Sequence, residues 1–415
     1  MAAKESSENF LVSEAQILAE KARKDKSTQF KTLGEPIELS GKALAFEIKG
    51  NHAWIGESTA QVKKLELETG KVLQSFKGHT GPVTSIAFCD KAEGSGDQKI
   101  LISGSWDQSI RIWDTDQLIS TTANAHDDFV KTLLVIPSLK LLVSGGSDKI
   151  VRFWDLSSAL STTPLQNAGS IASHTRPIEC LAGYAASESS AILYTADTMG
   201  IIRVWELKKE PSVKPARWRA TSKGELNHHR TRINDLVLGQ NLVWTASSDE
   251  TVQIHPAIES EPGTIQKLPQ PLEHPALAVK SLLVLPLTDL GESYLLTAAG
   301  DFLRVYDIST LAEPELVSNT DVHWHDITAV RLWYRAKKTD EVTHVEPYIV
   351  TTSLDQSIRK WRLAGTLFSS PLLPNLLMHI PPPSLKPAPK EEPKPAEEGL
   401  TEEEERELAE LMGDD

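Results

Sequence analysis

Short runs of alternating apolar and polar residues recur along the chain, separated by tight polar turns. The run ILIS at 100–103 precedes the turn GSWDQS, and the alternating run IRIW follows at 110–113. Alternation with a period of two is the pattern of a half-buried β-strand, and two such runs joined by a short turn predict a hairpin. We therefore expect a chain built of β-hairpins.

The hairpin pattern occurs seven times. Clear copies read SGSWDQSIRIWD at 103–114, SGGSDKIVRFWD at 144–155 and TTSLDQSIRKW at 351–361. Weaker copies lie at 195–206, 245–255 and 297–307, and a degenerate first copy lies at 55–66. Aligned on the position near the end that is usually aromatic, successive copies are 41 to 55 residues apart. This spacing suits one four-stranded blade of a β-propeller per copy, so the sequence predicts seven blades.

A histidine precedes six of the copies, and two copies end in Trp-Asp. With these signatures the sequence resembles the WD-repeat family over roughly residues 36–368. The resemblance implies that His, a Ser or Thr, the turn Asp and the Trp of a blade form a buried, hydrogen-bonded tetrad, in which each bond contributes about 1 kcal/mol net. The matching residues are His79, Ser103, Asp107 and Trp113 in blade two, His126, Ser144, Asp148 and Trp154 in blade three, and His323, Thr351, Asp355 and Trp361 in blade seven.

The other blades depart from this pattern. By the same alignment blade four has Met199 at the Asp position, blade five has His255 at the Trp position, and blade six has Tyr306 there with a shorter turn. Blade one has none of the four residues. We expect these tetrads to be incomplete.

The resemblance implies an all-β fold: a single seven-bladed propeller of four-stranded antiparallel blades. The stretch PIEL at 36–39 lies where an outer strand would precede blade one. In the family's usual closure this N-terminal strand completes the last blade, which removes open sheet edges. We expect the ring to close in this way.

Both ends of the chain differ from the repeats. Residues 1–33 form an extension in which 13–25, rich in helix formers, predict a short helix. The propeller is expected to occupy 34–370. It is followed by a proline-rich linker at 371–400 and an acidic tail at 401–415, which we expect to be disordered apart from a short helix or docking motif near the end.

Composition and charge narrow the functional classes. Of the net charge of −14, residues 381–415 carry −8, which leaves −6 on the other 380 residues. An acidic protein lacks the basic surface that general nucleic-acid binding needs, so nucleic acid is an unfavoured partner. The sequence has no secretion signal, no membrane span and only two cysteines, which favours an intracellular protein, cytoplasmic or nuclear.

Motifs for catalysis are not found in the sequence. It has no Gly-rich phosphate loop, no metal-spaced cysteine pairs and no nucleophile elbow. We therefore expect no catalytic residues, no metal site and no cofactor, and we interpret the protein as non-catalytic.

One basic segment supports an alternative function. Six lysines and arginines between 208 and 223 surround Trp218, and together with the residues up to 232 they could bind RNA or DNA in an RNA-processing or chromatin role. The competing interpretation is an ordinary solvated outer strand.

The favoured hypothesis is an adaptor or scaffold that binds one or more proteins or peptides, as a monomeric subunit of a hetero-complex. In the family the loops that enter each inner strand and the Asp turns converge on one face. Residues three and five positions after each tetrad His, and the residue before the turn Asp, should point to that face. The predicted partner-binding residues are Trp106, Phe129, Lys131, Glu179, Arg232, Asp326 and Leu354, with Thr84, Asn234 and Thr328 at equivalent positions.

Overall fold

A computed structural model describes residues 14–91, 99–114, 117–157, 159, 161–211, 216–258, 269–339 and 342–363. Its strands form seven separate sheets, each of four antiparallel strands. The inner strand of each sheet contacts the inner strands of the sheets before and after it, and the last contacts the first. The sheets are therefore the blades of a closed seven-bladed propeller, as the repeat spacing predicted.

The elements follow the chain in order, blade by blade. Before the first full blade lie the helix α1 (Glu14–Gln29) and the strand β1 (Ile37–Glu38). Blade one has β2 (Ala43–Lys49), β3 (His52–Glu57), β4 (Gln61–Glu66) and β5 (Val72–Lys77). Blade two has β6 (Val83–Asp90), β7 (Lys99–Ser105), β8 (Ile110–Asp114) and β9 (Gln117–Thr122). Blade three has β10 (Val130–Ile136), β11 (Leu141–Gly146), β12 (Val151–Asp155) and β13 (Gln166–Ile171).

Blades four to seven continue this order. Blade four has β14 (Ile178–Ser187), β15 (Ser190–Asp197), β16 (Ile201–Lys209) and β17 (Trp218–Asn227). Blade five has β18 (Ile233–Gly239), β19 (Leu242–Ser247), β20 (Thr251–Pro256) and β21 (Leu272–Glu273). Blade six has β22 (Val279–Val284), β23 (Tyr294–Ala299), β24 (Phe302–Asp307) and β25 (Glu315–Asp321), and blade seven has β26 (Ile327–Thr339), β27 (Val342–Ser353) and β28 (Ser357–Arg362). Two short 3₁₀ helices, Pro137–Leu139 and Leu285–Leu287, follow the inner strands of blades three and six.

The ring closes through its N-terminal strand. β1 lies beside β28 as the fourth strand of blade seven, with Ile37 opposite Ile358 and Glu38 opposite Ser357. The predicted closure by residues 36–39 is confirmed. Because this strand comes from the start of the chain and the other three from its last repeat, the first and last repeats are held together by sheet hydrogen bonds.

The apolar core lies between neighbouring blades. One cluster joins Phe153 of blade three to Leu193, Trp205 and Trp218 of blade four, all with less than a tenth of their surface exposed. Burying each large apolar side chain contributes roughly 1.5–3 kcal/mol, so the interfaces between blades hold the ring together.

Two faces can be distinguished by the connections they carry. We call "upper face" the one formed by the turns between the second and third strands of each blade and by the loops that enter each inner strand. The predicted tetrad Asp residues and the predicted partner-binding residues all belong to these turns and loops or to the first residues of the inner strands.

The predicted N-terminal helix is confirmed, although it extends from Glu14 to Gln29 rather than 13–25. Its last turn contacts blade six: the Lys26 ammonium pairs with Asp301 in the upper turn and lies 2.6 Å from Asp321 at the end of β25. The same ammonium lies 5.3 Å from the Phe302 ring centroid. No helix in the described part of the chain has the length and apolar character needed to cross a membrane.

Candidate functional site

The structure brings the four predicted tetrad residues together in blades two, three and seven. In blade two His79 Nδ1 lies 2.8 Å from Asp107 Oδ2, and His79 Nε2 lies 2.8 Å from Ser103 Oγ. The Trp113 indole N–H donates to the same hydroxyl over 2.9 Å. A carboxylate can only accept, so Nδ1 carries the imidazole proton and Nε2 accepts from the serine.

The tetrads of blades three and seven have the same geometry. His126 bonds to Asp148 at 2.9 Å and to Ser144 at 2.7 Å, and Trp154 donates to Ser144 at 2.8 Å. The corresponding distances from His323 to Asp355 and to Thr351 are both 2.8 Å, and Trp361 donates to Thr351 at 3.0 Å.

The turn carboxylates are held in the charged form. Burial alone would raise the pKa of Asp107, but hydrogen bonds from His79 and Ser109 lower this pKa below the ordinary range of a carboxyl. The pKa of Asp148 is lowered against its burial by His126 and Arg152 in the same way. These two carboxylates therefore stay ionised and accept hydrogen bonds within their own blades, so their role is structural.

Blade four corrects the sequence alignment. Met199 was assigned to the Asp position, yet His174 bonds to Asp197 at 2.9 Å and to Thr195 at 2.7 Å, and Trp205 donates to Thr195 at 3.0 Å. Asp197 is two residues after Thr195 instead of four. Side chains two apart on a strand point to the same side, so Asp197 reaches the histidine directly and the tetrad is complete.

Blades five and six have partial tetrads. In blade five His229 bonds to Asp249 and Thr245, while His255 at the Trp position packs against His228 with ring centroids 3.7 Å apart and planes tilted by 30°. Burial, with a smaller contribution from His255, lowers the pKa of His228 to about 3.

In blade six none of the carboxylates that the structure describes bonds to His274. Its Nδ1 lies 3.1 Å from the backbone carbonyl of Leu272, and its Nε2 lies 2.8 Å from Thr297 and 3.4 Å from the Tyr306 hydroxyl. The turn carboxylate Asp301 pairs instead with Lys26 of α1. Burial lowers the pKa of His274 to about 4.

Blade one has an ion pair where the tetrad would be. Glu57, at the end of β3, is fully buried and lies 3.0 Å from Lys63 Nζ. The Thr59 hydroxyl also donates to Glu57. No histidine stands at the corresponding position of the sequence, and Lys63 and Thr59 bind Oε2 of the buried carboxylate instead.

Each inner strand has a β-bulge at its second residue. The strand register shifts between Val130 and Thr132 in blade three and between Ile178 and Cys180 in blade four, and all seven blades show the same shift. The residue left out of register is Lys131 in blade three and Glu179 in blade four. A bulge re-aims its side chain, and in blades two, three, four, five and seven the bulge residue is the one five positions after the tetrad His.

Several bulge residues contact the next blade around the ring. Thr84 donates to the backbone carbonyl of Val130 at 2.5 Å, and Asn234 donates to that of Val279 at 2.8 Å. Lys131 Nζ lies 3.7 Å from Glu179 Oε1. These contacts link blade two to three, three to four and five to six, so part of the predicted binding set also holds neighbouring blades together.

Five of the seven predicted partner-binding residues form one continuous chain across blades two to five. The Trp106 indole stacks on the Phe129 ring, with centroids 4.7 Å apart and planes 16° from parallel. The Lys131 ammonium lies 6.0 Å from the Trp106 ring, and Glu179 Oε1 lies 3.7 Å from Lys131 and 3.8 Å from Arg232. Both aromatic residues are half-buried, which leaves part of each accessible on the upper face.

The other two predicted residues lie apart from this chain. Asp326 and Leu354 are on blade seven, where the backbone N–H of Leu354 donates to the carbonyl of Asp326 at 2.9 Å. Asp326 keeps 43% of its side chain exposed. The hydrogen bond with His325 lowers the pKa of Asp326. Thr328 in the same blade bonds to Thr352.

Sequence reasoning missed one upper-face residue. Met199 is 48% exposed in the upper turn of blade four, because Asp197 takes the tetrad role and frees Met199 from it. A flexible apolar side chain of this kind is common at binding surfaces. The sequence signal was Asp197, two residues before Met199, which an alignment with a fixed spacing between Thr and Asp overlooks.

The described part of the basic segment lies at the end of β16 and the start of β17 in blade four, and Lys214 lies outside the described residues. Lys208 and Lys223 both pair with Glu206, and Arg219 pairs with Glu210. Trp218 is buried in the core between blades three and four and is not available to stack on a base. The described residues thus match the outer-strand interpretation of this segment.

In the part of the chain that the structure describes, no cluster of three or more His, Cys, Asp or Glu side chains is placed to hold a metal ion. Cys89 and Cys180 are free thiols. Burial, together with the nearby Asp90 carboxylate, raises the pKa of the Cys89 thiol to about 11.

The seven blades and the ring closure define the class of fold: the chain is a seven-bladed β-propeller, and its His–Asp–Ser/Thr–Trp geometry is that of WD repeats. The family model WD40 (WD domain, G-beta repeat) matches residues 70–114 and 117–155, which are largely blade two and blade three. Propellers of this family are generally scaffolds for protein interactions, and the matched model describes a repeat rather than an enzyme.

Comparison with curated proteins finds relatives of two kinds. An uncharacterized WD repeat-containing protein of Schizosaccharomyces pombe is 26% identical over 371 residues, which cover 85% of this chain and 88% of that protein. WD repeat and FYVE domain-containing protein 2 of Mus musculus is 41% identical over 73 residues, 17% of each chain. The Periodic tryptophan protein 2 homolog of S. pombe is 33% identical over 86 residues, 20% of this chain and 9% of that protein. The first is similar along its length, and the others only over a few repeats.

Proposed function

We propose that this propeller is a non-catalytic adaptor inside the cell, which binds a protein or peptide on the upper face of blades two to five. The observation that carries the proposal is the stacked pair of Trp106 and Phe129, both partly accessible and continuous with the Lys131–Glu179–Arg232 chain. Rigid aromatic rings flanked by cations are frequent anchors of protein interfaces.

The two rings form an anchor because they are already held in place. Trp106 belongs to the turn of blade two and Phe129 to the entry loop of blade three, so their contact spans two blades. A partner that covers them buries apolar area without first ordering either side chain, and a pre-ordered surface loses less entropy on binding. Glu179 positions the two cations between which it lies, and Met199 extends the apolar part of the face toward blade four.

The relatives support this role at the level of the family. The full-length relative is described only as a WD repeat-containing protein, so it suggests no partner. We infer that the chain acts as a monomeric subunit of a larger hetero-complex, because its ring is closed by its own N-terminal strand and its upper face offers a partly accessible anchor to a partner.

The experiment compares partners recovered by affinity purification and mass spectrometry. The wild-type chain is compared with Trp106→Ala/Phe129→Ala and with Leu118→Ala, which removes an exposed leucine from an outer strand. We expect the double variant to lose most of at least one partner and Leu118→Ala to retain it, with both variants folded by circular dichroism. Full recovery with the folded double variant would place the binding surface elsewhere.

A further inference from the structure

Exposed apolar side chains are concentrated on three adjacent blades. Eight large apolar residues are exposed in the described part of the chain, and five of them belong to blades six, seven and one. They are Leu316 and Val317 on β25, Val345 on β27, and Val72 and Leu73 on β5, each 42–56% exposed. Blade seven lies between the other two because the ring closes there, so these residues surround the point of closure.

These residues lie at the end of the blades away from the upper face. Leu316 pairs with Tyr306 and Val72 pairs with Leu65, both at the far end of the third strand from its upper turn. Val345 lies near the tip of the long β26–β27 hairpin, which projects the same way. We call this surface the lower rim of blades six, seven and one.

Blade seven has an incomplete outer strand at the same place. β1 pairs with only Ser357 and Ile358, and the carbonyl of Gly34 accepts one further bond from Lys360. In blade two, by contrast, the outer strand pairs along β8 from Ile110 to Asp114. Within the described residues, no strand pairs with 361–363 on the outer side of β28, which leaves a sheet edge that can accept another strand.

The chain itself continues from this edge. It leaves blade seven at Leu363, and residues 364–380, which span the predicted end of the propeller and the start of the linker, read AGTLFSSPLLPNLLMHI. This segment has eight large apolar side chains and no charged residue. Apolar groups in that number are strongly driven out of water. Pro371 and Pro374 disfavour a helix and favour an extended chain, which at about 3.3 Å per residue would reach roughly 55 Å.

We propose that residues 364–380 bind the lower rim of their own propeller, where they cover Leu316 and Val317 and complete the open edge of blade seven. Three observations agree on this occupant: the exit of the chain at the open edge, the apolar character of both surfaces, and the length of the segment. The proposal is independent of the function proposed for the upper face, since it concerns the opposite end of the blades.

The test measures hydrogen–deuterium exchange of the 364–380 backbone in the full chain, with a synthetic peptide of the same residues as the unbound reference. We expect exchange at least tenfold slower in the protein than in the peptide. Leu316→Ser/Val317→Ser should abolish most of this protection. Leu118→Ser is the matched control, because Leu118 occupies the same register opposite Trp113 on blade two and is similarly exposed.

A reciprocal variant changes the segment and leaves the propeller intact, so it controls for unfolding caused by the substitutions at Leu316 and Val317. Leu372→Ser/Leu373→Ser should speed exchange of the amides at 315–321 severalfold while the remaining blades keep their protection. Exchange of 364–380 at the peptide's rate, or protection unchanged in Leu316→Ser/Val317→Ser, would overturn the proposal. Light scattering after size exclusion gives the oligomeric state. If residues 364–380 are protected only when the protein is a dimer, the proposal is wrong and the rim is covered by a second copy of the chain.

Discussion

The imidazole Nδ1 of His174 donates a hydrogen bond to Oδ2 of Asp197 over 2.9 Å, and both side chains are almost fully buried. The other carboxylate oxygen accepts the backbone N–H groups of Met199 and Ile201, so Asp197 also holds the upper turn of blade four. One side chain therefore joins the loop that enters the blade to the turn that carries Met199. The position of an upper-face residue is set by a buried bond beneath it.

This relationship predicts unequal effects of two nearby substitutions. Asp197→Ala leaves His174 and two backbone donors without their acceptor, and each stranded group costs about 1–3 kcal/mol, so we expect a loss of at least 2 kcal/mol in the free energy of unfolding. Met199→Ala removes an exposed side chain and should change it by less than about 0.5 kcal/mol. Urea denaturation measures both, and equal small effects would show that the blade-four tetrad is not formed.

The buried histidine of blade six predicts a pH dependence. Burial lowers the pKa of His274 from 6.5 to about 4, so between these values the unfolded chain binds a proton that the folded chain does not. Stability must then fall as the pH falls from 6.5 towards 4, by up to about 3 kcal/mol at pH 4. His274→Gln should be less stable at pH 7 but lose less on acidification. Parallel pH profiles of the two proteins would contradict the assignment.

The carboxylate between two cations predicts a larger effect than an exposed ion pair. Glu179 is 13% exposed between Lys131 and Arg232, so Glu179→Ala brings two half-buried cations together without an anion. We expect a cost of about 1–3 kcal/mol in the free energy of unfolding, decreasing as salt is added. The control is Glu225→Ala, which breaks the more exposed pair with Arg203 in the same blade and should cost under about 1 kcal/mol. If the Glu179 variant is no less stable than the control, the Lys131–Glu179–Arg232 ion pairs do not stabilise the fold.

The contact of α1 with blade six also depends on pH. Lys26 lies between Asp301 and Asp321, and burial raises the pKa of Asp321 to about 6 despite the nearby ammonium. Lys26→Met should lower the melting temperature by a few degrees at pH 7.5, because both carboxylates are then charged and lack their cation. Below pH 6 Asp321 becomes protonated, so the loss should shrink. Lys24→Met, on the exposed side of the helix, should have little effect at either pH.

The fold could be predicted from the sequence because similar hairpin motifs recur at intervals close to the length of one blade. Seven copies at blade-length intervals, and a short apolar stretch before the first copy, were enough to predict the blade number and the closure by residues 36–39. The His, Ser and Trp of blade two were recognisable for the same reason: a buried tetrad needs those donors and acceptors at fixed positions on two hairpin strands.

The upper-face contacts could be predicted only in part. Fixed spacing placed Trp106 and Phe129 on one face, but their stacking depends on how blade two packs against blade three, which a single sequence does not encode locally. The same limit applies to Lys131, Glu179 and Arg232: the first two are bulge residues of their inner strands, and Arg232 lies in the loop that enters blade five. Fixed spacing also failed for Asp197, because this last residue of β15, two positions after Thr195, reaches His174 in place of the turn residue four positions after Thr195.

The central claim is that a partner binds the upper face of blades two to five, and amide exchange of the purified complex tests it most directly. The partner recovered with the wild-type chain is added back, and exchange is compared with and without it. We predict at least tenfold slower exchange at 104–109 and 126–132, which carry Trp106, Phe129 and Lys131, and unchanged exchange at 117–122 on the outer strand β9. Protection of the outer strands with no change at 104–109 and 126–132 would contradict the account.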